Sequence, residues 1–218
     1  MNTIYYYPHL PHVDITKHPL FDLMYDLDPI NPPHTSYKSN MSICPAMLTH
    51  EQHTYIIRSP ISFSIKYNHE SQSWSSPPTS QEIQEMLMPE DDRQPYLQLA
   101  TYYLFWSDKK TNTKLFLTDP PLYEVNHKPT YYIASGMIPI GEYTRNTSLG
   151  LILKPNYNTI KVERGDALAA ITLVGDQRIQ LVKKKPPQHI LDENNRNLGV
   201  PKYCPFLRTK TLFSRWLQ

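Results

Sequence analysis

The sequence predicts an all-β protein, an antiparallel β-sandwich or jelly roll in a single domain, with a few short helices on its outside. Residues 130–182 contain several short strand-like segments separated by turn residues, which is the pattern of such folds. Proline is abundant at 21 residues and glycine is scarce at 6, against ordinary usage of about 5% and 7%. Proline disfavours long helices, and the 16 tyrosines favour half-buried strand positions.

The strands of the second half are bounded by residues that favour turns. Gly141, Pro155-Asn156, Arg164-Gly165-Asp166 and Gly175-Asp176 separate five segments, and closely spaced segments of this kind form antiparallel sheets. The predicted strands are Tyr131–Met137, Ser148–Lys154, Thr159–Glu163, Ala167–Val174 and Arg178–Lys183.

Five further strands are predicted before residue 119. The clearest is Ile61–Tyr67, where apolar residues alternate with serine and lysine, so that one face is buried and the other is wet. The apolar run Tyr96–Ser107 is predicted to be one long strand with Thr113–Thr118 as its hairpin partner. Two shorter strands are predicted at Asn2–Tyr7 and Thr54–Arg58.

Short helices are predicted between these strands and at the end of the chain. Pro19–Leu27 carries leucine and methionine at helical spacing, and a second helix begins at Thr79 or Ser80 and ends at Met88, after a polar loop at Asn68–Pro78. Residues 1–183 are predicted to form the β domain. Residues 184–218 are predicted to form an arm, extended over Lys185–Pro201, that ends in an amphipathic helix at Pro205–Gln218 and packs on its own domain or on a neighbour.

Charge and cysteine content limit the classes of function. The formal net charge is only +2, which gives no support for a nucleic-acid partner, because such proteins usually show a clustered basic face. A run of about 18 apolar residues, the signature of a membrane span, does not occur. Cys44 and Cys204 are too few for a zinc site of their own and are expected to be reduced, buried thiols.

The histidines provide one candidate metal site. His12-Val13-Asp14 matches the His-x-Asp part of the two-histidine, one-carboxylate iron site, with His127 or His189 as the possible distal ligand. The pattern is short and lies in a proline-rich stretch, so a structural role is favoured and no cofactor is expected. His50 and His53 are likewise better explained as part of an exposed turn.

Other catalytic motifs are absent from the sequence. It contains neither a Gly-x-Ser-x-Gly elbow nor a glycine-rich phosphate loop. Val162–Leu168 is similar to the tight turn before a strand in trimeric dUTPases and related nucleotide-binding barrels. The same turn occurs in any hairpin that needs a positive φ at glycine, so the structural interpretation is preferred.

Clustered tyrosines are the remaining signal. Neighbouring residues on a strand point to opposite faces, so one member of each run must face outward, as at protein interfaces and sugar-binding faces. The predicted interface residues are Tyr5, Tyr6, Tyr7, Tyr102, Tyr131, Phe213 and Trp216.

The order of several short segments resembles a family of uncharacterised β-rich proteins of tailed bacteriophages, in particular marine T4-like myoviruses. The resemblance extends from about Tyr5 to Phe213 and implies a phage setting, without an activity or catalytic residues. The segments that carry it are Ile43–Ala46, Ile57–Ile61, Leu117–Pro121, Gly136–Arg145, Ile160–Asp166 and Tyr203–Pro205.

Together these observations predict a non-enzymatic structural or interaction protein, located in the virion or in the host cytoplasm. Its expected partners are copies of itself or other phage proteins, and neither nucleic acid nor membrane. Two alternatives stay open: an iron-dependent oxygenase-like enzyme or small-ligand binder, and a modulator of a host protein during infection.

Overall fold

The all-β prediction is confirmed. A computed structural model describes residues 2–9, 24–30, 53–75, 87–88, 96–121, 128–142, 144, 146–175 and 178–197. Within these ranges the chain forms fifteen strands and one helix. The elements are β1 (Asn2–Pro8), β2 (Asp28–Pro29), β3 (Thr54–Arg58), β4 (Phe63–Asn68), β5 (Ser73–Trp74), β6 (Leu87–Met88), β7 (Tyr96–Ala100), β8 (Tyr103–Trp106), β9 (Lys114–Thr118), β10 (Tyr131–Ile133), β11 (Gly136–Pro139), β12 (Ser148–Leu153), β13 (Thr159–Val162), β14 (Ala167–Val174), β15 (Ile179–Lys183) and α1 (Gln188–Asn197).

The strands form four small sheets. Their orders are β15-β1-β8, β10-β12-β7-β6, β11-β9-β14-β3-β2 and β13-β4-β5. Every strand pair found between these elements is antiparallel except β1 with β15, which is parallel. Buried side chains from all four sheets meet in one apolar core, so the sheets pack as layers around a common interior.

Local sequence explains the strands that were predicted correctly. In β4 the side chains alternate between buried and exposed, with Phe63, Ile65 and Tyr67 inside, as the period of two requires. In β14 the first seven residues are all buried, because the strand lies between β3 and β9 and is covered on both faces. The predicted bounds of β3 and β14 agree with the structure.

The prediction of one long strand over Tyr96–Ser107 is wrong. The run breaks at Thr101 and Tyr102, and β7 and β8 belong to different sheets. Tyr102 has a left-handed φ of 58°, and the Thr101 backbone N–H and side-chain hydroxyl both donate to the Thr147 carbonyl. These contacts redirect the chain at a position where the sequence shows only continuous apolar character.

Two further predicted strand arrangements differ from the observed strand pairing. β9 pairs with β11 and β14 and is not the hairpin partner of β8. The predicted strand Tyr131–Met137 is divided into β10 and β11, which lie in different sheets. Apolar strands can pair with several partners, so tertiary packing decides which pairs form.

Two of the three predicted helices disagree with the structure at the residues that it describes. Met24–Leu27 is not helical: the Leu27 N–H donates to the Tyr6 hydroxyl, and the Tyr25 carbonyl accepts from Tyr103. Leu87 and Met88 lie in β6, which pairs with β7, so the second helix does not reach its predicted end. The remaining residues of these two predictions, and the helix at 205–218, fall outside the described ranges.

The one helix observed in the described part of the chain lies where an extended arm was predicted. Ile190 of α1 packs against Leu104 and Trp106 of β8. The fully buried Asn194 exchanges two hydrogen bonds with Asn146, accepting from its backbone N–H at 2.9 Å and donating to its side-chain oxygen at 2.8 Å. Contacts with distant residues therefore stabilise a segment rich in asparagine, a weak helix former. Within the described ranges no helix is long and apolar enough to cross a membrane.

Gly150 is a point where a side chain cannot be accommodated. A Cβ at this position of β12 would lie 2.6 Å from the Tyr96 ring and 2.9 Å from the Ala134 Cβ. We expect Gly150→Ala to lower the free energy of unfolding by ~1–3 kcal/mol, the usual cost of overpacking. The matched control is Gly136→Ala in β11, where nothing lies within 4 Å of the added atom. Urea unfolding of both variants checks this, and equal midpoints would contradict the packing shown here.

Candidate functional site

An open pocket of about 440 Å³ lies at the β4–β5 hairpin, beside the turn that leads into β13. This volume is within the ~300–1,000 Å³ typical of small-molecule sites. Its wall is built mainly from one short stretch of chain, residues 66–75, together with residue 158. The lining residues are Lys66, Tyr67, Asn68, His69, Glu70, Ser73, Trp74, Ser75 and Asn158.

The hairpin that forms the pocket is shaped by its polar residues. The Asn68 side-chain oxygen accepts hydrogen bonds from the backbone N–H groups of Glu70 and Ser71, at 2.9 and 3.3 Å. Gln72 then adopts a left-handed φ of 51°. An asparagine that bonds to its own following backbone is a usual way to start a turn. The chain thereby reverses, and Trp74 lies opposite Tyr67 in the register of β4 and β5.

Three rings cluster in the pocket wall. The centroids of Tyr67 and Trp74 are 5.0 Å apart, and the His69 ring meets Tyr67 edge-on, also at 5.0 Å. The Trp74 indole N–H donates to the Tyr96 carbonyl at 3.1 Å, and His69 Nε2 lies 3.3 Å from the Tyr157 carbonyl. These bonds attach the hairpin to β7 and to the turn before β13, so the rings are held in position from both sides.

The polar groups of the pocket are mostly hydrogen-bond donors. Lys66 and Asn68 are exposed, and the oxygen of the Asn68 amide is already used in the turn, which leaves its NH₂ group for a ligand. Ser75 accepts from the Lys66 backbone N–H at 3.0 Å, so its hydroxyl hydrogen remains available. Glu70 is the single carboxylate among the lining residues.

His69 is the one imidazole among the residues that line the pocket. Because a carbonyl can only accept, the contact of Nε2 with the Tyr157 carbonyl requires the hydrogen on Nε2. In the neutral ring Nδ1 then carries the lone pair. A histidine held in one tautomer by a carbonyl is a common arrangement for a general base.

The candidate iron site gains no support in the described part of the chain. His12, Asp14 and His127 lie outside it, and His189 is an exposed residue of α1. The described residues contain no group of three histidine, cysteine or carboxylate side chains able to hold a metal ion. Cys44 and Cys204 also lie outside these ranges.

The turn that is similar to that of dUTPases has its polar groups occupied within the chain. Gly165 has a φ of 87°, its N–H donates to the Ser59 carbonyl, and its carbonyl accepts from Arg58. The Asp166 carboxylate accepts from the Glu163 N–H at 2.8 Å. These bonds agree with the structural interpretation of the turn.

The aromatic residues predicted at an interface fall into three groups. Tyr6, Tyr102 and Tyr131 are buried inside the chain, so an outward position is wrong for them. Tyr5 and Tyr7 are half-buried and pack near Trp106 and α1. Phe213 and Trp216 lie outside the described ranges. Along β10 the exposed residue is Tyr132, at 47%, because Tyr131 points into the core.

Sequence reasoning missed the pocket because it treated 68–78 as a plain loop. Ser73 and Trp74 instead form β5 and pair with β4. The available signal was a tryptophan and a histidine in an otherwise Ser/Asn-rich segment that follows a strand. Large aromatic residues in a hairpin have to pack against something, and here they pack against each other.

Comparison with known proteins finds matches among solved structures alone. No protein-family model and no curated protein sequence matches the chain. Among solved structures, a dUTPase mutant from phage phi11 of S. aureus matches 74% of this chain and 94% of its own, with 14% identity and a TM-score of 0.35.

A Staphylococcus bacteriophage 80alpha dUTPase mutant with dUpNHpp matches 86% of this chain and 91% of its own, with 13% identity and a TM-score of 0.41. Another 80alpha dUTPase mutant gives the same identity and TM-score and is covered to 99%.

These matches do not favour the predicted non-enzymatic structural or virion protein, since all three are to phage dUTPases. At such low identity and TM-score, the activity of those enzymes does not transfer to this chain.

Tyr131 makes the stability of the protein sensitive to alkaline pH. Burial, then the charges of Asp166 and Asp119, raise its pKa above the ordinary 10.0. The folded state therefore retains the phenol proton when the unfolded chain has lost it, and this contribution to stability, complete below pH 10, is lost as pH rises above 10. The loss is up to ~1.4 kcal/mol per pH unit.

We expect Tyr131→Phe to reduce this alkaline loss, with Tyr132→Phe as the exposed control. Urea unfolding at pH 8 and at pH 11 measures it. An unchanged difference between the two pH values in Tyr131→Phe would show that Tyr131 does not titrate in this way.

Proposed function

We propose that this protein binds a nucleotide in the β4–β5 pocket and hydrolyses its phosphate chain. The observation that carries the proposal is the combination, within one pocket, of an aromatic cluster with a lysine and other hydrogen-bond donors. Planar bases stack on aromatic rings, and phosphates are bound by ammonium groups and hydroxyls.

The aromatic part of the pocket suits the base. Trp74 is half-buried, so part of its indole surface is accessible, while its N–H is held by the Tyr96 carbonyl. The edge-on contact of His69 with Tyr67 keeps the adjacent ring fixed. The indole of Trp74, held in this way, offers a stacking surface that loses little conformational entropy when a ligand binds.

The donor part suits a phosphate. Lys66, Asn68 and Ser75 line the pocket, and each side chain carries a hydrogen-bond donor. The Glu70 carboxylate opposes an anion, so the lysine has to outweigh it. The expected ligand is consequently a nucleotide, and a nucleoside without phosphate should bind more weakly.

Two of the lining residues can support hydrolysis. His69, with its lone pair on Nδ1, can accept a proton from a water molecule as that water attacks phosphorus. Glu70, next in the chain, can hold the resulting imidazolium by its negative charge. The bond formed is water oxygen to phosphorus, and the bond broken is phosphorus to the leaving phosphate oxygen.

The biological setting remains a prediction. The resemblance to tailed-phage proteins supports action in the cytoplasm of an infected host, which suits a nucleotide-hydrolysing protein. We also propose that the protein forms a homo-oligomer. The molar mass of the purified protein in solution tests this.

The test of binding compares AMP with adenosine by isothermal titration calorimetry. AMP should bind about tenfold more tightly, because the ammonium of Lys66 forms a charge-assisted hydrogen bond worth ~1.5 kcal/mol. Lys66→Ala should abolish that difference, whereas Lys114→Ala, an exposed lysine of β9 outside the pocket, should preserve it. Equal affinity for AMP and adenosine in the natural protein would refute the phosphate assignment.

The same preparations, supplied with ATP and Mg²⁺, test hydrolysis by phosphate release. His69→Gln should lower the rate by at least ~100-fold, in line with the loss of a general base, while AMP affinity changes little. Phosphate release that is insensitive to this substitution would remove His69 from the mechanism.

A further inference from the structure

The turn after β12 lies against the β4–β5 pocket and contacts its histidine. The Tyr157 carbonyl is 3.3 Å from His69 Nε2, and the next residue, Asn158, lines the pocket. The Asn158 carbonyl accepts a hydrogen bond from the Tyr67 N–H at 2.8 Å. Two consecutive residues that follow the turn therefore bind to the hairpin that forms most of the pocket wall.

Local sequence determines the shape of this turn. The Tyr157 N–H donates to the Lys154 carbonyl at 3.2 Å, which closes a four-residue turn with Pro155 and Asn156 in the middle. Asn156 has a left-handed φ of 68°. Proline followed by a residue of positive φ is the pattern of a type II turn, and asparagine tolerates that conformation better than most residues other than glycine.

The chain is fixed on both sides of the turn. Before it, Lys154 donates from its backbone N–H to the Thr130 carbonyl at 2.9 Å and from its ammonium to the Pro129 carbonyl at 2.7 Å. After it, Asn158 is bonded to the hairpin. The two central residues of the turn are exposed, so packing does not restrain them. The left-handed conformation between these two attachments therefore determines where the next carbonyl, that of Tyr157, lies.

We propose that Asn156 is a positioning residue for His69. Its left-handed conformation brings the Tyr157 carbonyl to Nε2, which keeps the hydrogen of the neutral imidazole on Nε2 and leaves the lone pair of Nδ1 to accept a proton from the attacking water. Asn156 acts through its backbone conformation and not through its own amide. The inference rests on the proposed function, because it deepens the account of the same site.

The NMR signals of the His69 ring test the positioning without any reaction. The ring meets Tyr67 edge-on at 5.0 Å, so the ring current of Tyr67 displaces the signals of the carbon-bound protons of His69. Valine rarely adopts a positive φ, so Asn156→Val should release the ring and bring these signals close to those of an unstructured histidine. Asn156→Gly should keep them displaced, because glycine adopts this conformation freely.

The ¹⁵N signals of the same ring report the tautomer. At about pH 9, where imidazoles are neutral, the hydrogen should lie on Nε2 in the natural protein and in Asn156→Gly. In Asn156→Val both tautomers should be present, because the carbonyl that selects one of them has moved away.

Gly141→Val is the matched control for backbone strain. Gly141 has a φ of 94° in the turn after β11 and does not line the pocket, so its replacement strains a turn elsewhere and should leave the His69 signals unchanged. Asn156→Ala should shift the His69 signals in the same direction as Asn156→Val but less far, which provides the measurement if the valine variant does not fold.

Phosphate release from ATP in the presence of Mg²⁺ tests the role in the reaction. Asn156→Val should lower kcat about tenfold, since a misplaced catalytic group loses rate on this scale or more. The affinity for AMP should be unchanged, because Lys66 and Trp74 belong to the hairpin and not to the turn. Asn156→Gly should have the natural kcat.

Three results would overturn the inference: His69 signals that stay displaced in Asn156→Val, His69 signals that lose their displacement in Asn156→Gly, or an unchanged kcat in Asn156→Val. The first two would separate the position of the ring from the left-handed turn, and the third would separate the turn from the reaction. If the His69 signals respond as expected but the natural protein releases no phosphate, the proposed function is overturned and the positioning of His69 by Asn156 stands.

Discussion

The double pairing of β14 is the interaction on which the architecture depends. This strand lies at the centre of the five-stranded sheet, with β3 on one side and β9 on the other. Its first seven residues are buried, and Thr172 and Thr54 satisfy each other by a hydroxyl–hydroxyl hydrogen bond of 2.9 Å across the β14–β3 pair. With both edges paired and both faces covered, β14 holds β3 and β9 in one sheet.

A second, polar contact determines how the sheets join. Asn146 donates from its side chain to the Tyr102 carbonyl at 2.9 Å and to the His9 carbonyl, and it exchanges two hydrogen bonds with Asn194 of α1. Asn146 thus connects the end of β1, the bend between β7 and β8, and helix α1. Buried amides of this kind are costly when unpaired, which favours one arrangement of these segments over others.

The β4–β5 pocket lies away from both of these contacts, and its shape is determined by a short hairpin. The turn at Asn68 and the ring cluster of Tyr67, His69 and Trp74 come from neighbouring residues. The rigidity of the pocket comes from two bonds to other strands, at Tyr96 and Tyr157. A local element attached to a large scaffold is a usual basis for a binding site, since the scaffold supplies precision and the hairpin supplies chemistry.

Local patterns in the sequence determined the class of fold and most strand positions. The alternation in β4 and the turn residues around β12 to β15 depend only on neighbours, so they could be read directly. The bend at Thr101–Tyr102, the partners of β9, helix α1 and the meeting of Trp74 with Tyr96 were decided by tertiary structure. Each depends on hydrogen bonds or packing between residues far apart in the chain, and the strength of such contacts is not encoded in any single segment.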